Sequence, residues 1–256
     1  MPTIKEKLYF TYNGRSSRDF GLIHINTNNG MFEETLVPRR NIRETKIRGN
    51  DKPIYYEVEH DPIEFPMEIA FEGEFTDELI EEVIDWLFTD YYCELYFEGK
   101  ENRVFICMPV DDTNLIHNGL QQGYVTLTMR CNSPYIYSPI ILTPLETVTT
   151  SKTITITNNG FKDIYPEISI KKIGSGNIEI KNITDNNKTF LIQNLVNGED
   201  IYLNCEQEII ETDAIGVYHY GDIVGDFPKL IKRTTNTIKI TGDCQIQFRF
   251  REKYRF

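Results

Sequence analysis

Residues Tyr124 to Cys131 alternate strictly between apolar and polar side chains and then run into Ser133-Pro134 and Ser138-Pro139. Val125, Leu127, Met129 and Cys131 fall on one face, and Tyr124, Thr126, Thr128 and Arg130 on the other. This is the period-two pattern of a strand with one buried side. Each proline lacks the N–H that a ladder requires and holds its preceding residue extended, so strand pairing is expected to stop here. The stretch therefore divides the chain into a first domain over residues 1–138, a linker over 139–150 and a second domain over 151–256. A length of 256 residues is enough for two cores.

Composition narrows the function classes. With 40% hydrophobic and 12% aromatic residues the chain reads as globular. A net charge of -12 argues against a phosphate-binding surface, because nucleic-acid affinity comes largely from Lys and Arg displacing counterions. The polar opening Met1 to Lys7 lacks the apolar core of a secretory signal, and no apolar run approaches the ~20 residues that span a bilayer. The expectation is a soluble product with no membrane partner and no specific nucleic-acid binding. Cys93, Cys107, Cys131, Cys205 and Cys244 are widely spaced, sit in apolar strand patterns and form no C-x-x-C pair, which reads as reduced core thiols. The sequons at Asn182 and Asn187 read as turns.

In the first half, Leu8 to Tyr12 reads as a strand turning at Asn13-Gly14, with Ser17 to Gly21 leading into a second strand over Leu22 to Ile25. Ile63, Phe65, Met67, Ile69 and Phe71 alternate with polar residues as a strand whose Pro66 implies an edge or a bulge. Thr76 to Phe88 is the one convincing helix, capped by Thr76, with Asp77 and Glu78 at its positive end and an apolar stripe of Leu79, Ile80, Val83, Ile84 and Leu87. Its carboxylates Glu78, Glu81, Glu82 and Asp85 lie opposite that stripe and read as a solvated face rather than a general acid and base. Trp86 is expected to pack onto the sheet. Cys93 to Phe97 and Arg103 to Cys107 read as a hairpin, and the polar segment Asp111 to Gln122 as a loop rather than a metal site around Asp111-Asp112.

Leu36 to Glu59 is a long hairpin or arm carrying Arg39, Arg40, Arg43, Lys46, Arg48 and Lys52 around Gly49-Asn50-Asp51, followed by Tyr55 and Tyr56. Its apolar residues are too sparse to fill a core. A basic, tyrosine-bearing extension on an acidic protein reads as a contact surface, and an ordinary solvated hairpin stands level with that reading.

From Thr153 onward, short strands alternate with turns at Asn158-Asn159-Gly160, Gly174-Ser175-Gly176, Asp185-Asn186-Asn187 and Asn197-Gly198. Many short strands at this spacing argue for an antiparallel β-sandwich. The glycines of Gly174-Ser175-Gly176 precede strand residues and make a turn, not a phosphate loop. His24, His60, His117 and His219 occupy four different segments, and neither a nucleophile elbow nor a zinc-protease motif occurs. No catalytic residue, cofactor or metal site is assigned, and the chain is read as not an enzyme.

Several segments in order resemble the distal tail protein (Dit) family of long-tailed bacteriophages that infect Gram-positive bacteria. They are Phe10-Thr11-Tyr12-Asn13-Gly14 with Asp19-Phe20-Gly21-Leu22, Asp85-Trp86-Leu87, Cys131-Asn132-Ser133-Pro134-Tyr135, Ile156-Thr157-Asn158-Asn159-Gly160, Tyr165-Pro166-Glu167-Ile168, and Phe227-Pro228-Lys229-Leu230 leading to Asn236-Thr237-Ile238. The family often has an aspartate where this chain has Asn204. The resemblance implies a mainly β chain with one helix in its N-terminal half. A β-barrel-like N-terminal domain would form a six-membered ring, followed by a galectin-like or carbohydrate-module-like sandwich. Such a homo-hexamer is a virion component at the tail tip, made in the host bacterial cytoplasm. It joins the tail-tube protein to the baseplate hub or tail-associated protein, with a receptor-binding protein as a further candidate partner. DNA would pass through the ring, and an acidic protein would repel rather than trap it. Arg43, Lys46, Arg48, Tyr55 and Tyr56 are the expected ring interface, since reciprocal head-to-tail contacts close a ring.

The competing reading is a carbohydrate-binding module for host wall sugars, with Tyr202, Tyr218 and Tyr220 as the aromatic platform. A wall hydrolase would require a positioned acid or metal that the sequence does not display.

Overall fold

The computed structural model describes residues 8–26, 37–111, 113–118 and 120–255. They divide into two compact units, one running to Tyr137 and the other from Ser138 to Tyr254. In the first unit, β1 (Phe10–Tyr12) turns through Asn13 and Gly14 into β2 (Arg15–Ser16). Both turn residues have positive φ, 48° and 74°, the primed-turn geometry that Asn-Gly favours. A 3-10 turn over Ser17–Phe20 then leads to β3 (Leu22–Ile25). Among the described residues, β4 (Arg40–Thr45) and β5 (Ile54–His60) pair only with each other. β6 (Glu64–Phe71), helix α1 (Asp77–Leu87), β7 (Cys93–Phe97), β8 (Phe105–Val110), β9 (Leu115–His117) and β10 (Gly123–Cys131) follow. The sheet curls into a half-barrel in the order β2-β1-β7-β8-β10-β6-β3, with β9 also on β10.

Leu127, Met129 and Cys131 of β10 are buried, as the alternation requires. Thr76 accepts the Leu79 N–H at 3.3 Å and starts α1. Trp86 lies between α1 and the sheet, 4.2 Å from the Phe20 ring, and its Nε1–H donates to the Tyr12 carbonyl at 2.8 Å. Ile84 departs from its expected stripe and is 48% exposed. Pro66 lies at a locally open edge of β6, as expected, and not at a bulge: it faces Thr128 of β10 on one side, and on the other β3 covers only residues 68–71, so the missing N–H interrupts no ladder. Pro109 of β8 likewise lies beyond the residues that β7 pairs. The polar segment after Asp111 is not all loop, because Leu115–His117 pairs with Gly123–Val125 across a turn held by the Asn118 side chain. Asp112 lies outside the described residues. The prolines after β10 end its pairing: Ser133 Oγ accepts the Tyr135 N–H, and β11 (Ile136–Tyr137) exchanges hydrogen bonds of 2.8 and 2.9 Å with Val104.

All five cysteines are free and buried. Cys93, Cys107 and Cys131 stand opposite one another across β7, β8 and β10, and burial pushes the Cys107 thiol well above the ordinary range. Burial also raises Cys205 to about 12 and Cys244 to about 11.

The second unit is a sandwich of two antiparallel sheets. Its strands are β12 (Ile141–Leu142), β13 (Glu146–Val148), β14 (Ser151–Asn158), β15 (Glu167–Lys172), β16 (Gly176–Asn182), β17 (Lys188–Leu195), β18 (Asp200–Asn204), β19 (Ile209–Thr212), β20 (Ile223–Gly225), β21 (Thr234–Thr241) and β22 (Cys244–Phe250). One sheet runs β12-β22-β15-β18-β19 with β13 also on β22, and the other β14-β21-β16-β17-β20. Ile168, Ile170, Leu203, Ile246 and Phe248 from the first meet Ile178, Ile180, Phe190, Ile192, Ile238 and Ile240 from the second in one core. The expected linker over 139–150 is replaced by β12 and β13, which hydrogen-bond to β22 and place Val148 in that core.

Gly225, opposite Phe190, has φ +95°, and a Cβ there would lie 2.1 Å from the Thr189 carbonyl oxygen. Gly225→Ala is therefore expected to cost more than about 1 kcal/mol. Urea unfolding of the full chain checks this against Val224→Ala, whose side chain is exposed and whose loss should change little.

Candidate functional site

The β4–β5 hairpin has two dissimilar faces. Ile42 opposes Val58 and Arg40 opposes His60, so these four share one face of the ribbon below the bulge, and Tyr56 is the extra residue at the bulge itself. Ile42 and Tyr56 are 62% and 60% exposed, with Ile54 also exposed. The other face holds Asn41, Arg43, Glu57 and Glu59, with Arg43 Nε 2.7 Å from Glu59 Oε1. A bulge between Arg43 and Glu44 shifts the pairing so that Tyr55 opposes Glu44. At the root, Asn41 donates to Asp61 at 2.7 Å, and Pro38, Arg39, Asp61, Pro62, Glu64 and Arg130 line a hollow of about 630 Å³.

The five residues singled out in the sequence thus form no single patch. Arg43 belongs to the charged side, Tyr55 and Tyr56 lie at the bulge where the alternation of faces breaks, and Lys46 and Arg48 belong to the connecting turn around Gly49. Sequence reasoning missed Ile42 and Val58, which face each other across the ribbon, and Ile54, which is exposed beyond the bulge. Leu36, the expected start of the arm, lies outside the described residues. A lone two-stranded ribbon is at best marginally stable in water, so an apolar face of this kind needs a cover.

The second unit holds a buried charged cluster. His219 sits between two carboxylates, with Nε2 2.7 Å from Glu199 and Nδ1 3.0 Å from Asp222. Glu199 also accepts from the Thr212 hydroxyl at 2.6 Å and the Val196 N–H at 3.0 Å, and Asp222 accepts from Asn194 at 2.6 Å. Burial alone would lower the His219 pKa, but the hydrogen bonds to Glu199 and Asp222 outweigh it and hold the imidazole above its ordinary value. Burial works to raise Glu199, and the Thr212, Val196 and His219 hydrogen bonds overcome it. With both ring nitrogens taken and the side chain closed to solvent, His219 is placed as a clamp rather than as a general base.

Tyr202 lies on β18 and lines a groove on the outer sheet face, whereas Tyr218 and Tyr220 flank His219, exposed, and line none of it. No group of His, Cys, Asp and Glu among the described residues could hold a metal ion, and no described helix is long and apolar enough to cross a membrane.

A family model described as a phage tail protein N-terminal domain matches residues 5–133, and one described as a phage tail C-terminal domain matches residues 135–250. The chain therefore belongs to this family of phage tail proteins, and so is a virion component. An SPbeta prophage-derived uncharacterized protein of Bacillus subtilis strain 168, YomH, is 32% identical over 252 residues, which is 98% of this chain and 99% of that protein. Among solved structures, the Dit protein of phage SPP1 matches with a TM-score of 0.69 at 19% identity, covering 96% of this chain and 99% of that one. A chain of the activated phage P2 baseplate matches with a TM-score of 0.57 at 8% identity, covering 98% and 99%. The fold is thus that of the Dit proteins. The SPP1 protein is described as a paradigm of the hub adsorption apparatus in phages infecting Gram-positive bacteria.

Proposed function

We propose that the protein is the hub ring of a phage tail tip: six copies close through their first units and join the tail tube to the baseplate hub. The second unit offers surface to further baseplate components, a receptor-binding protein among them. The observation that carries this reading is the β4–β5 hairpin, which pairs with no other described strand and exposes Ile42, Ile54 and Tyr56. A second copy is the occupant that fits, because a head-to-tail contact repeated by rotation covers this face in every copy and closes. Arg43, Lys46, Arg48 and Tyr55 then flank the buried patch as a polar rim that fixes orientation. The family and the Dit-like fold support the same reading.

Class averages from negative-stain microscopy, with light scattering at micromolar concentration, are expected to show six-fold rings for the wild type. Ile42→Glu/Tyr56→Glu should give monomers with an unchanged circular dichroism spectrum. Rings that persist in this double variant, or a wild type that stays monomeric even with tail-tube protein present, would sink the proposal.

A further inference from the structure

We infer that the second unit binds a neutral saccharide in the groove over Ser169, on the outer face of the β12-β22-β15-β18-β19 sheet. The site follows from register. Glu211, Tyr202, Ser169 and Gln247 stand side by side across β19, β18, β15 and β22, and Asp200, Lys171 and Gln245 form the next row. Serine is the smallest side chain of its row, so the face dips between Tyr202 and Gln247. The resulting groove measures about 510 Å³, within the ~300–1,000 Å³ range of small-molecule sites.

Its chemistry selects the ligand. The Ser169 hydroxyl and the Gln245 amide make no side-chain hydrogen bond among the described residues, and Gln247 commits only its Nε2–H, to the Thr143 carbonyl at 2.8 Å. These groups offer the mixed donors and acceptors that ring hydroxyls require. Tyr202 on one side and Leu145, 58% exposed, on the other supply apolar surface about three strand spacings or ~14 Å apart, suited to the faces of a short chain of sugar rings. Charge excludes the anionic alternatives. The one cation of the lining, Lys171, is paired with Asp200 at 3.0 Å, leaving Glu211 and Asp213 to repel phosphate or carboxylate. The Tyr202 hydroxyl, raised by burial and by the neighbouring Glu167 carboxylate, stays protonated.

This inference does not rest on the ring proposal, and either can fail alone. The full-length protein would be applied to an array of neutral di- to tetrasaccharides of glucose, galactose and N-acetylhexosamines, with teichoic acid and a short DNA duplex as anionic probes. Retention is expected on neutral probes only. Tyr202→Ala should weaken it about tenfold or more, the scale of one aromatic contact with its buried area. Ser169→Trp, which fills the dip from a solvent-facing position, should abolish it, while Tyr218→Ala and Tyr220→Ala leave it unchanged. A silent array, retention on the anionic probes alone, or binding indifferent to Ser169→Trp would overturn the assignment. If the array is silent and a baseplate protein is captured only when Ser169 is intact, the groove is a protein-docking site and the saccharide inference is wrong.

Discussion

Replacing Trp86 by alanine is expected to cost the first unit about 3–5 kcal/mol, the range for large-to-small changes at buried aromatics. The indole is 4% exposed, stacks on Phe20 at 4.2 Å, lies 5.8 Å from Phe10 and meets Tyr12 edge-on at 6.1 Å. It is the element that ties α1 to the strand opening the sheet, so its loss leaves a void and removes the donor to the Tyr12 carbonyl. Trp86→Phe keeps most of the volume and should cost less, about 0.5–1.5 kcal/mol for the lost hydrogen bond. Because this is the only tryptophan, the transition must be followed by circular dichroism rather than by indole fluorescence. A loss below about 1 kcal/mol for the alanine variant would show that α1 is not anchored there.

Glu199→Ala is the second large effect. It leaves His219 buried with one of its two carboxylates gone, and breaking a buried pair from one side costs about 3–5 kcal/mol. The pH dependence has a definite sign. The folded pKa of His219 is raised above 6.5, so its contribution is full below that value and disappears as pH rises through the folded pKa. That of Glu199 is lowered from 4.5, so its contribution is full above that value and disappears as pH falls through the folded pKa. The second unit should therefore be most stable between these two limits and lose stability on both sides. Scanning calorimetry from pH 3 to 9 on the wild type and on His219→Leu/Glu199→Leu checks this. If the double variant keeps the wild-type pH profile, the clamp is not its source.

What the sequence made legible was whatever depends on near neighbours. The alternation and prolines from Tyr124 to Pro139 marked the end of the first sheet, and Thr76 with the apolar spacing behind it marked α1. The motif pieces around Asn158, Phe227–Leu230 and Asn236 proved to be parts of one assembly. The Asn158 and Asn182 amides donate to the Leu230 and Lys229 carbonyls at 3.1 and 2.7 Å, and the Asn236 carbonyl takes the Ile231 N–H at 2.7 Å. Asn204 accepts the N–H groups of Glu206 and Gln207, the turn contacts an aspartate would make. What stayed hidden depends on partners remote in sequence. Ile141–Leu142 and Glu146–Val148 are too short to show alternation, and their pairing is imposed by β22. The faces of the arm depended on a bulge that no residue pattern announces. The groove takes alternate residues from separated strands, and the His219 clamp joins two turns that no local pattern links.

The pairing of β12 and β13 with β22 also bears on the order of events during synthesis. Ile141 meets Phe250 and Val148 meets Cys244, so these strands leave the ribosome roughly a hundred residues before the partner they need. Contacts of such long sequence separation form late, and until then Ile141, Leu142 and Val148 remain open to other chains. The half-barrel sheet takes its described strands from residues up to Cys131: β10 supplies its central pairing with β6 and β8, and that sheet can close while the sandwich is still being translated. In a cell making many copies at once, the first units would fold ahead of their trailing halves. Completion of each chain's fold would then be timed by the arrival of β22.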